Sequence, residues 1–125
     1  VELDVADLPT RFEIKDIGTK TITRYSQMIA DAKTIFVKGP MGLYEEDQFA
    51  TGSRDIIQSI AQSLGYTLVG GGNTADVIAK YAARDEFDHM SLAGGATLKM
   101  LETGTLPCVQ ELEKNYQEQA HAITN

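Results

Sequence analysis

Residues 66–75 read Tyr66-Thr67-Leu68-Val69-Gly70-Gly71-Gly72-Asn73-Thr74-Ala75, an apolar β-prone run that breaks into three glycines and then into residues suited to open a helix. Ala75, Val77, Ile78 and Tyr81 follow at the spacing of one helical stripe, with Asn73 or Thr74 as the expected N-cap. The pattern predicts strand, turn and helix in sequence. It occurs twice more: Thr34-Ile35-Phe36-Val37 runs into Lys38-Gly39-Pro40-Met41-Gly42, and His89-Met90-Ser91-Leu92 runs into Ala93-Gly94-Gly95-Ala96-Thr97. Seven of the 11 glycines of the chain fall in these three turns.

Further helices are predicted around the strands. Ile22, Tyr25, Ile29 and Ala32 form a stripe after Asp16-Ile17-Gly18-Thr19, with Asp16 as the expected cap. Phe49, Ile56, Ile57, Ile60, Ala61 and Leu64 form a second stripe, with Gly65 as its stop. After Pro107 a last helix runs through Val109, Leu112 and Tyr116 into a polar tail, residues 107–125. The alternation of Val1, Leu3 and Val5 suggests one more strand. Strand and helix alternate, so the expected fold is α/β: a three-layer, Rossmann-like arrangement with a mostly parallel sheet flanked by helices.

With 125 residues the chain holds one domain, or part of one. Its 18 acidic against 11 basic residues give a net charge of -7, and Arg11, Arg24, Arg54 and Arg84 are scattered. Nucleic acid and membrane surfaces are therefore excluded as partners. A lone Cys108 excludes a disulfide framework, and no segment reads as a signal peptide, so the cytoplasm is expected. The first residue is Val1, which suggests excision from something longer.

In a parallel sheet all three glycine turns lie at the carboxyl edge, where open α/β sheets bind ligands. Glycine lets backbone N–H groups approach an anion, and the following helix adds its positive N-terminal end. The three turns together therefore read as a phosphate or nucleotide site. A P-loop is excluded, because the chain has no Gly-Lys dipeptide. Gly70, Gly72 and Ala75 satisfy the letters of the dinucleotide fingerprint, but the next strand ends in Leu92-Ala93 instead of the acid a ribose needs. Glu45, after the first turn, is the acid placed to accept ribose hydroxyls.

The blocks Lys38 to Glu45, Gly70 to Thr74 and His89 to Leu98 resemble three successive blocks from the C-terminal domain of phosphoglycerate kinases. Asp16 to Thr21 and Leu106-Pro107 are similar to flanking family segments, and the resemblance spans about residues 10 to 110. It implies reversible phosphoryl transfer between 1,3-bisphosphoglycerate and ADP, with Mg²⁺ and ATP/ADP, in a monomeric two-lobed parent of which residues 1–125 are part of the nucleotide-binding domain. By motif, Gly39, Pro40 and Met41 would line the ribose and adenine pocket and Glu45 would bind the ribose hydroxyls. Gly70, Gly71, Gly72, Asn73 and Thr74 would lie at the nucleotide phosphates, with donors from Gly71, Gly72 and Thr74. Gly94 and Gly95 would offer N–H groups to the phosphoryl in flight.

Measured against the family pattern, Lys38 stands where asparagine is usual, Asn73 where an aspartate meets the metal, and Leu92-Ala93 where threonine and glycine are usual. A neutral amide is a weaker Mg²⁺ partner than a carboxylate, and Lys38 would bring positive charge near the phosphates. The basic cluster needed for the phosphoglycerate belongs to the part of the parent not present here, so the chain alone is expected to be inactive. The alternative is a non-catalytic nucleotide-binding or interaction module that kept the scaffold. His89, His121 and Cys108 read as structural or solvated, Arg84 to Asp88 as a solvated loop, Glu46 and Asp47 as helix N-terminal acids, and Met90 and Met100 as core.

Overall fold

The computed structural model describes the backbone of residues 1–123 and side chains as far as residue 119. Helix α1 (Thr19–Asp31) leads into β1 (Thr34–Lys38), and α2 (Thr51–Ala61) into β2 (Tyr66–Gly70). Then come α3 (Gly72–Tyr81), β3 (His89–Ser91), α4 (Gly94–Thr103) and α5 (Pro107–Ile123). The strands lie in the order β1-β2-β3, all parallel, with Ile35 opposite Thr67, Val37 opposite Val69, and Val69 opposite Met90. Both crossovers step the same way, so right-handed connections put α2 and α3 on one face.

The core lies on that face. Ile35, Val37 and Val69 point from the sheet into Ile56, Ile57 and Ile60 of α2, Val77 and Ile78 of α3, and Ile22 of α1. Helix α1 packs on α2, where the Ser26 and Ser59 hydroxyls meet at 2.8 Å. α4 takes the other face: a Cβ on Gly70 would lie 3.1 Å from the Phe36 ring and 3.5 Å from Gly94 Cα. The three-layer Rossmann-like arrangement is therefore present, with the opposite layer begun by one helix. α5 is exposed along its described length except at Val109, which is half-buried.

Several local expectations change. Val1, Leu3 and Val5 form no strand; Val5–Asp7 is a 3₁₀ turn, and these side chains find no sheet partner. Tyr25 is exposed on α1, and Leu64 leaves its stripe because α2 ends at Ala61, before Leu64 could join its buried face. Gly65 is not the helix stop. It is a site of close approach, where a Cβ would run into the Ala32 carbonyl. Asp16 does not cap α1: its carboxylate crosses to α2 and accepts the Gly52 amide at 2.8 Å.

Arg84 to Asp88 is not simply solvated. Phe87 is buried in the core, and the Asp88 carboxylate accepts the Thr67 amide at 2.7 Å and hydroxyl at 2.9 Å, fixing the start of β2. Those bonds, the amide first, hold the Asp88 carboxyl below its ordinary range. Met100 is exposed on α4, whereas Met90 packs against the core. Cys108 and His89 are exposed, and the side chain of His121 lies outside the described residues.

Candidate functional site

The three glycine turns follow β1, β2 and β3 and lie at one edge of the sheet. In the first, Gly39 adopts φ +93°, a conformation that side chains resist, and its amide donates to Thr74 Oγ1 at 2.7 Å. The amides of Met41 and Gly42 reach the buried Ser53 hydroxyl at 3.1 and 3.3 Å. These three N–H groups are thus taken up inside the fold. The first turn is a shaped wall rather than an anion cradle.

The second turn is built differently. Gly71 has φ +98° and donates its amide to the Ser91 carbonyl at 2.8 Å, which binds the turn to β3. Thr74, 1% exposed, accepts from Gly39 and lies 3.0 Å from the Gly70 carbonyl, to which it donates. The Gly71 amide and the Thr74 hydroxyl, both expected as phosphate donors, are therefore engaged within the protein. Neither Asn73 nor Thr74 caps the helix; both lie in its first turn, and Gly71 takes the cap position. The amides of Gly72, Asn73 and Thr74 open α3 and have no partner within the helix.

The third turn opens α4 in the same way, leaving the amides of Gly94, Gly95 and Ala96 without helical partners. Gly94 is where the turns meet. A Cβ on it would sit 3.1 Å from both Cα and N of Gly71, and 3.0 Å from Lys38 Cε. Lys38 Cγ lies 4.0 Å from the corresponding point on Gly71. The Lys38 stem thus lies across both helix starts, and its ammonium is in none of the ion pairs among the described residues.

Beside the first turn is an open cleft of about 760 Å³, with Pro40, Met41, Gly42 and Leu43 on one wall and residues 13–17 on the other. The Leu43 amide donates to the Lys15 carbonyl at 2.8 Å, pinning the two walls together. Lys15 stands 3.2 Å from Glu46 and 5.0 Å from the centre of the Phe49 ring, and the Glu46 hydrogen bond raises its pKa. The second wall is the part sequence reasoning missed. Asp16-Ile17-Gly18-Thr19 showed only as a helix approach, and its one clue was the flanking-segment resemblance.

The family model described as phosphoglycerate kinase matches residues 1–104. The chain belongs to the phosphoglycerate kinase family. It is 38% identical over 110 residues to a phosphoglycerate kinase of Herpetosiphon aurantiacus, covering 88% of this chain and 28% of that one. The figures for a phosphoglycerate kinase of Methanobacterium bryantii are 41% over 112 residues, 90% and 27%. Among solved structures, phosphoglycerate kinase from Coxiella burnetii superposes with a TM-score of 0.73 at 37% identity, covering 85% of this chain and 27% of that one. The Pyrococcus horikoshii enzyme gives 0.74 at 33%, with 86% and 26% covered. The chain thus spans about 28% of the length of the first of these relatives.

Among the residues expected from the phosphoglycerate kinase pattern, Gly39, Pro40, Met41, Gly70 to Thr74, Gly94, Gly95 and Lys38 stand around the two helix starts and the cleft wall. Glu45 is exposed and does not line the cleft. It lies by Tyr44, whose phenol is pushed up by burial first and then by the negative charges of Glu45 and Asp76. Glu46 and Asp47 are the expected helix N-terminal acids, Glu46 at the N-cap and Asp47 in the first turn of the 3₁₀ helix Asp47–Phe49, and both also act across the fold. Glu46 holds Lys15, and Asp47 holds Lys80 of α3 at 2.8 Å, the bond that lowers the Asp47 pKa most.

The donors around Asn73 do not fit a divalent cation held by this chain. Asn73, exposed in the first turn of α3 where the helix end is positive, offers such a cation only a neutral amide oxygen in place of a carboxylate.

Proposed function

We propose that the chain is the nucleotide-binding part of a phosphoglycerate kinase, which in its full length moves a phosphoryl group reversibly between 1,3-bisphosphoglycerate and ADP, giving 3-phosphoglycerate and ATP. The observation that carries this reading is the contact of Gly71 with Gly94, which brings the starts of α3 and α4 to one point. Six amides, from Gly72 to Thr74 and Gly94 to Ala96, open the two helices there. In this reading the α3 amides hold the nucleotide phosphates, and Gly94 and Gly95 meet the charge that spreads over the transferring phosphoryl. Dipoles fixed before the reaction stabilise that charge without reorganising. Pro40 and Met41 form the wall for the base and ribose, and Glu45 accepts the ribose hydroxyls from the rim.

A phosphoglycerate acceptor brings a carboxylate and a phosphate, which require several convergent cations. Here Arg54 is paired with Asp55 at 2.8 Å and Arg11 stacks on Phe12 at 5.1 Å, so neither joins such a cluster. The chain alone is therefore inactive, and the parent, a cytoplasmic monomer in this reading, supplies the acceptor site. The neutral Asn73 favours one second reading, a nucleotide-binding module that has lost catalysis. A coupled assay of ATP formation decides between them: the 125-residue chain is silent in both cases. An active full-length parent supports the enzyme, whereas a silent parent rescued by Asn73→Asp supports the module.

A further inference from the structure

Lys38 occupies an electrostatically unfavourable place. Its stem lies 3.0 Å from the Cβ position of Gly94 and 4.0 Å from that of Gly71, against the starts of two ten-residue helices. Helix N-termini carry partial positive charge and favour anions, so a cation there is repelled unless a negative group joins it. Lys15, Lys20, Lys80 and Lys99 each have a carboxylate within 3.2 Å, whereas Lys38, like Lys33 and Lys114, has none among the described residues, and of these three it is Lys38 whose stem lies against the two helix starts. Three sources of positive charge thus meet at one exposed point. The only side chain there that belongs to a metal-binding pattern, Asn73, is neutral.

We infer that Lys38 gives the nucleotide phosphates the positive charge that a divalent cation would otherwise bring, so that this chain takes nucleoside diphosphate in its metal-free form. The inference rests on the nucleotide reading above and sharpens it to one ionic form of the ligand. An ammonium on a four-carbon stem is a mobile point charge that can follow a diphosphate, and the six helix-start amides supply directional donors around it. A metal-bound nucleotide would bring its cation up against the same ammonium and the same positive helix ends. Free ADP therefore has the better complement.

Equilibrium dialysis of the 125-residue chain against ADP, with EDTA and separately with Mg²⁺, tests this. The expected result is that Mg²⁺ improves binding no more than about threefold. In EDTA, Lys38→Asn should raise the dissociation constant at least about tenfold while Lys38→Arg stays within about threefold of the parent sequence, a contrast that separates charge from folding. Each variant's circular dichroism confirms the fold, and Lys38→Gln replaces any asparagine variant that fails it. Binding that needs Mg²⁺, or a Lys38→Asn protein that binds in EDTA as the parent sequence does, would overturn the inference and leave the nucleotide site standing. No binding under either condition would overturn both.

Discussion

The Thr74 hydroxyl accepts the Gly39 amide at 2.7 Å and lies 3.0 Å from the Gly70 carbonyl, to which it gives its own proton. One buried oxygen thus fastens the turn after β1 to the turn after β2. Replacing Thr74 by valine keeps the shape and leaves a donor and an acceptor unpaired. We expect a loss of about 1 to 3 kcal/mol by urea unfolding. Thr74→Ser, which keeps the hydroxyl, should lose less.

The two glycines that open α4 should respond in opposite ways. A methyl on Gly94 meets Gly71 backbone at 3.1 Å, and one on Gly95 meets nothing within 4 Å. Gly94→Ala should therefore destabilise by about 1 to 3 kcal/mol, the cost of overpacking. Gly95→Ala, at an exposed helical position with room for the methyl, should instead gain up to about 1 kcal/mol from helix propensity. Parallel thermal and urea unfolding of the two variants checks the contrast.

Asp16 and Gly52 form a cap that joins distant segments. Asp16→Ala should cost about 0.5 to 2 kcal/mol, as loss of an N-terminal cap does. Gly52→Ala is the more telling variant, because helix propensity alone predicts a gain of about 1 kcal/mol. Its methyl would run into the Asp16 carboxylate and sit 2.7 Å from Ile17 Cγ1, so a net loss in urea unfolding is expected.

Asp88 ties acid stability to the start of β2. Its carboxyl is held low by the Thr67 amide and then by the Thr67 hydroxyl, so its folded pKa lies below its unfolded value. The stability it adds is present above the ordinary aspartate range, about pH 4, and is lost as the pH falls through the lower folded value. Asp88→Asn should therefore be less stable than the parent sequence at pH 6, with the gap closing towards pH 2. Thermal midpoints across that range measure it.

The sequence made the strands and their glycine turns legible because buried parallel strands need a continuous apolar run, and the backbone angles after them need glycine. Thr34, Tyr66 and His89 are read correctly as strand starts for that reason. Helix α4 gave no stripe, since Leu98, Met100 and Leu101 stay exposed. Asp16 was misplaced because a cap read from sequence is local, whereas its carboxylate reaches a helix 36 positions away. The same limit hid the second wall of the cleft: residues 13–17 meet Pro40 to Leu43 only through the fold. Glycine spacing revealed which turns bind together, but not which of their N–H groups remain free. Gly39, Met41, Gly42 and Gly71 donate inward, a distinction set by Ser53, Thr74 and Ser91.

In the proposed site the turns after β2 and β3 hold phosphate together. An amide-resolved NMR titration of the ¹⁵N-labelled chain with ADP tests it most directly. The largest shifts should fall on Gly72, Asn73, Thr74, Gly94, Gly95 and Ala96 together, with smaller ones along Met41 to Leu43. Shifts confined to the opposite edge of the sheet, around Ser63 to Thr67 and Asp88, or none at the two helix starts at saturating ADP, would contradict it.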